Sequence, residues 1–178
     1  NHIIGKFLLK NKFKEACEMI GLTVEKNNFV KALQQLHKKK LQMYIHAYQS
    51  FLFNLTCTLY IEKRYKLRNI DYNLKDLDKD NKINQMKISI IGFGFDSEAV
   101  SDNYLKKILL KIMEEEEIAP RDFVIRSLQG MSAEGNERDL FAAVQNLEIQ
   151  EIDKETYKIS FFLQKGSYAT IAVKNMFM

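Results

Sequence analysis

Apolar side chains at steps of three and four dominate the first third of the chain. Phe7, Leu8, Phe13, Ala16, Met19 and Ile20 keep that spacing, and Gly21 stands where such a helix would stop. A short helix is expected from about Asn28 to Leu36. A long one follows, with Leu41, Tyr44, Ile45, Tyr48, Leu52, Leu55 and Leu59 on one stripe. Phe51 and Phe53 fall off that stripe, so this helix should be buried on more than one side. From Asn69 to Lys87 the chain turns polar and reads as a loop or linker. Lys87 to Phe93 reads as a short strand. Asn103 to Glu117 reads as a helix with Tyr104, Ile108, Leu109, Ile112 and Met113 inward. Its final carboxylates, Glu114 to Glu117, oppose the helix dipole and predict a frayed end. Residues 138–152 and 156–163 alternate as two strands of a hairpin turning at Asp153-Lys154-Glu155, with Tyr157, Ile159, Phe161 and Leu163 as its buried face. Ala169 to Phe177 fits a helix or a strand, and Phe177 predicts a docked terminus. The sum is an α+β fold.

Length adds little beyond a bound: 178 residues suffice for one sizeable core or two small ones. The unbroken apolar runs fall far short of the roughly 20 residues that span a bilayer, so the pattern excludes an integral membrane protein built on helices. No secretory signal opens the chain. It begins Asn1-His2-Ile3-Ile4, without Met and inside an apolar pattern, which reads as a piece of a longer polypeptide. Cys17 and Cys57 stand far apart and predict free buried thiols in a reducing, cytoplasmic setting. Seven Gly and a single proline, Pro120, leave little room for flexible linkers.

Charge changes the picture more. The net +4 conceals 13 Lys/Arg against 4 Asp/Glu over residues 1–70, and 14 against 19 over residues 71–178. A basic half beside an acidic half suits a polyanion-binding face on a larger body, or simply a lysine-rich solvated surface. Lys38-Lys39-Lys40 lies just before the long helix, and Lys63, Arg64, Lys66 and Arg68 lie at its end, where cations also favour the helix dipole.

Three local patterns fail on chemistry. Asp76 to Asn84 resembles the first nine positions of a calcium-binding EF-hand loop, but the twelfth position, which needs a bidentate Glu, is Lys87. Gly92-Phe93-Gly94 lacks the third glycine and helix start of a dinucleotide fingerprint and reads as a tight strand exit. His2, His37 and His46 have no metal-ligand spacing, and no metal site is expected. Two segments remain. Ala47-Tyr48-Gln49-Ser50-Phe51-Leu52-Phe53-Asn54 sets polar side chains into an apolar helix, where a lost hydrogen bond costs about 1–3 kcal/mol. Ser50 and Asn54 share a face and could point together into a pocket or brace a neighbouring loop. Lys165-Gly166-Ser167-Tyr168-Ala169-Thr170 places an aromatic ring at the end of the last strand, where it could stack on a base or join the core.

Together these segments resemble the TruD family of transfer-RNA pseudouridine synthases. The Ala47–Asn54 octapeptide is similar to that family's helical signature and Lys165–Thr170 to its C-terminal signature. Ser132 to Arg138 resembles the return from an inserted domain, and His2 to Lys6 resembles the stretch after an Asn-Tyr-Phe-Gly motif. The resemblance implies catalytic-domain helices over 1–68, a linker and small inserted α/β domain over 69–138 (about Asp96 to Arg126 leaning over the RNA), and a return to the catalytic domain over 139–178. It implies a cofactor-free isomerisation of uridine to pseudouridine in tRNA or another structured RNA, with the target base extruded into a pocket. Tyr168, Ser167, Gly166, Asn54, Phe53, Ser50 and Gln49 would belong to that pocket. Lys38, Lys39, Lys40, Arg64, Lys66, Arg68 and Lys165 would meet RNA. The family's Gly-x-Lys-Asp nucleophile motif does not occur in these residues; Lys75-Asp76 and Lys79-Asp80 share only the dipeptide. The nucleophilic Asp is expected upstream, so the 178 residues alone are expected to be inactive. An inactive RNA-binding module on the same scaffold is the other reading. Oligomeric state is not legible.

Overall fold

The computed structural model describes residues 1–65, 86–164, 167 and 169–177. The described residues fall into two compact units, one within Asn1–Lys79 and Lys87–Arg138, the other within Asp80–Met86 and Asp139–Met178. The expected linker, the EF-hand-like segment before Lys87 and both Lys-Asp dipeptides lie outside the described residues.

The first unit is built on its helices. The expected opening helix is two helices, α1 (His2–Leu9) and α2 (Phe13–Ile20). The break comes at Asn11, which takes a left-handed backbone (φ 55) while the N–H of Lys12 donates to the Phe7 carbonyl at 2.8 Å. Asn tolerates that conformation, so the apolar spacing continues across an interruption it cannot reveal. Gly21 ends α2 as expected, at φ 78. Met19, placed on the inward stripe by its spacing, is 50% exposed because α2 buries only Ala16 and Cys17.

α3 (Phe29–Gln34) is capped by the Asn28 side chain, which accepts from the Lys31 N–H. α4 (Lys38–Tyr65) is 28 residues long, about 42 Å at 1.5 Å per residue. Its stripe residues Leu41, Tyr44, Ile45, Tyr48 and Leu52 are buried, and so is Phe53 off the stripe. α1 packs along α4. They come close at Gly5, where an added Cβ would lie 2.9 Å from the Tyr44 carbonyl carbon and 2.9 Å from Tyr48 Cβ.

β1 (Lys87–Ile90) lies against α4 and pairs with β2 (Asn136–Asp139). Between them the chain forms a one-turn 3-10 segment at Ser97–Ala99, then α5 (Asn103–Glu115), then a second such segment at Pro120–Phe123. Asp102 starts α5 by accepting from the Tyr104 and Leu105 N–H groups. Leu109, Ile112, Phe123, Ile88 and Ile91 complete this core.

The end of α5 corrects the frayed expectation. Glu116 sits 2.7 Å from the Lys6 ammonium and accepts from the Tyr48 hydroxyl at 2.7 Å. Glu117 takes a left-handed backbone (φ 51), and the Ile118 N–H reaches back to the Met113 carbonyl at 2.9 Å. Lys10 donates to the Glu117 carbonyl. Lys6 of α1, Lys10 just after it and a tyrosine of α4 thus supply the cations and donors that the helix end lacks.

In the second unit, β3 (Gln145–Glu151) pairs antiparallel with β4 (Tyr157–Phe162), with Ile149 opposite Ile159 and Glu151 opposite Tyr157. The long first strand expected from residue 138 does not form. β2 stops at Asp139, and β3 opens with a register irregularity between Gln145 and Glu148, where Asn146 has φ 53. Leu147, Ile149, Tyr157, Ile159 and Phe161 share one face by alternation, yet Tyr157 is 49% and Ile149 54% exposed. The expected buried face is therefore only partly covered. The tail is α6 (Ala169–Phe177), a helix. The Phe177 side chain lies outside what is described.

Candidate functional site

α4 carries the octapeptide, and its 3.6-residue period sends the polar side chains in different directions. Gln49 points inward and is buried. Its amide Nε2 donates to the Ile91 carbonyl and to the Glu134 carbonyl, each at 3.1 Å. With both amide hydrogens so engaged, its carbonyl oxygen is what it can offer any other group. One turn on, Phe53 is 7% exposed, and the Arg138 guanidinium lies over its ring, 5.0 Å from the centroid. Ser50 is half-buried and Asn54 exposed. Beside them the half-buried Phe51 stacks on His2, with ring centroids 4.7 Å apart and planes 7° from parallel.

The rest of α4 is braced by charge. The Tyr48 hydroxyl is pushed up from its ordinary value, first by burial and then by its bond to Glu116, so it stays protonated and donates to that carboxylate. Burial raises the Glu116 carboxyl, but the Lys6 and Tyr48 hydrogen bonds outweigh it and hold that carboxyl below the usual range. Asp102 behaves alike. Burial raises it, yet the Leu105 and Tyr104 N–H groups, the Tyr60 hydroxyl at 2.9 Å and the Arg64 charge bring it down. Cys57 is half-buried; burial pushes its thiol up to about 12 against the opposing pull of Arg138.

Of the cations expected to meet RNA, Lys38, Lys39 and Lys40 are all exposed in the first turn of α4. None of the three forms an ion pair among the described residues. Three cations at a helix N-terminus run against the dipole, so fold stability does not account for them. His37 partly offsets this by accepting the Lys39 N–H on Nδ1 at 3.2 Å. Arg64 lies 5.7 Å from the Tyr60 ring centroid. Lys66, Arg68, Lys165, Gly166 and Tyr168 lie outside the described residues. Ser167 is described; its N–H donates to the Gln164 carbonyl at 3.1 Å. Among the described residues no cluster of three His, Cys, Asp or Glu side chains could hold a metal, and no helix is long and apolar enough to cross a membrane.

Three features escaped the reading of the sequence: the Gln49 bridge, the Glu116 anchor and the Arg138–Phe53 contact. Only the buried Gln carried a signal, as an amide in an apolar helix. The other two join residues far apart in the chain.

The family model for tRNA pseudouridine synthase D (TruD) matches residues 18–176. A probable tRNA pseudouridine synthase D of Nanoarchaeum equitans is 30% identical over 155 residues, covering 87% of this chain and 38% of that protein. The tRNA pseudouridine synthase D of Aquifex aeolicus is 24% identical over 179 residues, covering 96% of this chain and 46% of its own length. A crystal structure assigned to the same family from Methanosarcina mazei shares the fold with a TM-score of 0.70 at 15% identity, over 98% of this chain and 56% of that one. The chain therefore spans less than half the length of these two curated relatives. It belongs to the TruD family, that of tRNA pseudouridine synthase D.

Proposed function

We propose that this chain is part of a tRNA pseudouridine synthase that isomerises uridine to pseudouridine without a cofactor, working in the cytoplasm. Supporting the reading is the family match across residues 18–176, which takes in both the α4 octapeptide and the Lys165–Thr170 segment. In this reading an aspartate supplied by polypeptide outside the 178 residues attacks the ribose or removes its 2′ proton. The N1–C1′ bond breaks, the uracil turns, and C5 bonds to C1′ as the C5 proton leaves. Tyr168 stacks on the uracil, with Ser167 and Gly166 shaping its turn. Ser50, Phe53 and Asn54 of α4 serve the substrate, and Gln49 does so through its carbonyl oxygen. Lys38, Lys39, Lys40, Arg64, Lys66, Arg68 and Lys165 meet RNA phosphates. The segment about Asp96 to Arg126 is the inserted domain of a three-part organisation, 1–68, 69–138 and 139–178.

Tritium release from uridine-labelled tRNA tests this. A reading frame carrying an upstream Gly-x-Lys-Asp motif should release tritium, and the 178 residues alone should not. Turnover by the 178 residues alone would refute an external nucleophile. The absence of that motif within the chain favours one alternative, a non-catalytic RNA-binding module. It predicts RNA binding with no tritium release from any length of the frame.

A further inference from the structure

Phe93 is an exposed aromatic on an unusually constrained backbone. It is 50% exposed, yet its N–H donates to the Ala133 carbonyl at 2.8 Å and its carbonyl accepts from the Gly135 N–H at 2.8 Å. The Gln49 amide ties down the Ile91 carbonyl on one side and the Glu134 carbonyl on the other. Gly92 is pressed into the same junction: a Cβ there would lie 2.6 Å from the Glu134 carbonyl carbon and 2.7 Å from Gln49 Nε2. Gly94, at φ 77, then turns the chain, and the Phe95 N–H closes the turn on the Gly92 carbonyl at 3.1 Å. A buried amide and two glycines thus fix the backbone from which a half-exposed ring projects.

Such a ring is prepared for a flat partner, because its backbone ordering is complete before binding. The neighbouring charges narrow the partner's chemistry. Glu134, which forms an isolated bridge with Phe93, and Glu137 three residues further on are both exposed, and carboxylates repel a phosphate backbone. They can accept from the exocyclic amines of bases.

We propose that Phe93 is a stacking site for an unpaired base of bound RNA, held in place by Gln49 and the Gly92–Glu134 contact. The proposal rests on the RNA-binding reading above. The chain contains no Trp, so Phe93→Trp installs a single fluorescent reporter. An unmodified tRNA transcript is titrated into this variant while filter retention measures binding to the unaltered chain. The indole emission of the variant should be quenched in step with retention. Phe93→Ala should weaken retention roughly 5- to 100-fold, and Phe93→Tyr should keep it within about twofold. RNA retention by the unaltered chain with a silent indole in the Phe93→Trp variant, or with Phe93→Ala binding unchanged, would overturn the stacking site while leaving RNA binding intact. No retention by the unaltered chain would remove the RNA-binding reading and the stacking site with it.

Discussion

Replacing Gln49 by Leu keeps the volume and apolar contacts of the side chain but deletes both donors to Ile91 and Glu134. The Ile91 carbonyl is in the core and would be left unpaired, at about 1–3 kcal/mol; the Glu134 carbonyl is only partly buried and can recruit water, at about 0.5–1.5 kcal/mol. A loss of about 1.5–4.5 kcal/mol is expected, read as a lowered urea midpoint by far-UV circular dichroism with little change in slope. Gln49→Glu separates polarity from size. Its carboxylate would face two carbonyl oxygens, so its folded-state pKa would rise above that of the unfolded chain. The variant should thus come nearest the parent below about pH 4, where the acid is protonated and donates once, and fall away as pH rises through the folded value. A Gln49→Leu cost under about 0.5 kcal/mol, or a Gln49→Glu deficit independent of pH, would refute the bridging role.

Tyr168→Ala in the active reading frame should lower kcat/KM about 5- to 100-fold with unchanged unfolding, and unchanged kinetics would remove Tyr168 from the uracil. Neutralising Lys38, Lys39 and Lys40 together should flatten the salt dependence of RNA binding by roughly 2–3 in log–log slope, and an unaltered slope would clear them of phosphate contact. Tyr48→Phe should cost about 1–2 kcal/mol at pH 7, since its hydroxyl serves a charged, mostly buried Glu116. Glu116 is held below its ordinary value, so this contribution is present above about pH 4.5 and fades as pH falls through the folded value; the gap between the two proteins in urea should narrow at pH 3. Cys57, with its thiol near 12, should alkylate at pH 8 roughly a thousandfold more slowly than a free thiol, and fast labelling of the native chain would contradict its burial.

What could be read along the chain was what depends on near neighbours. The α4 stripe, the Gly21 stop, the Asp153–Glu155 turn and the octapeptide follow from spacing, backbone preference or local pattern, each set within a few residues. The interruption at Asn11 and the irregular opening of β3 at Asn146 were hidden, because Asn enters the left-handed region without a glycine to announce it. Tertiary structure alone decided what Gln49 and Glu116 do. Their partners lie 42, 85 and 68 residues away, and a polar side chain chooses among donors and acceptors only after packing has excluded water. The same applies to the four glutamates at the end of α5. Alone they repel the dipole, but Lys6, Lys10 and Tyr48, brought beside Glu116 and Glu117 by the packing of α1 on α4, make those two an anchor.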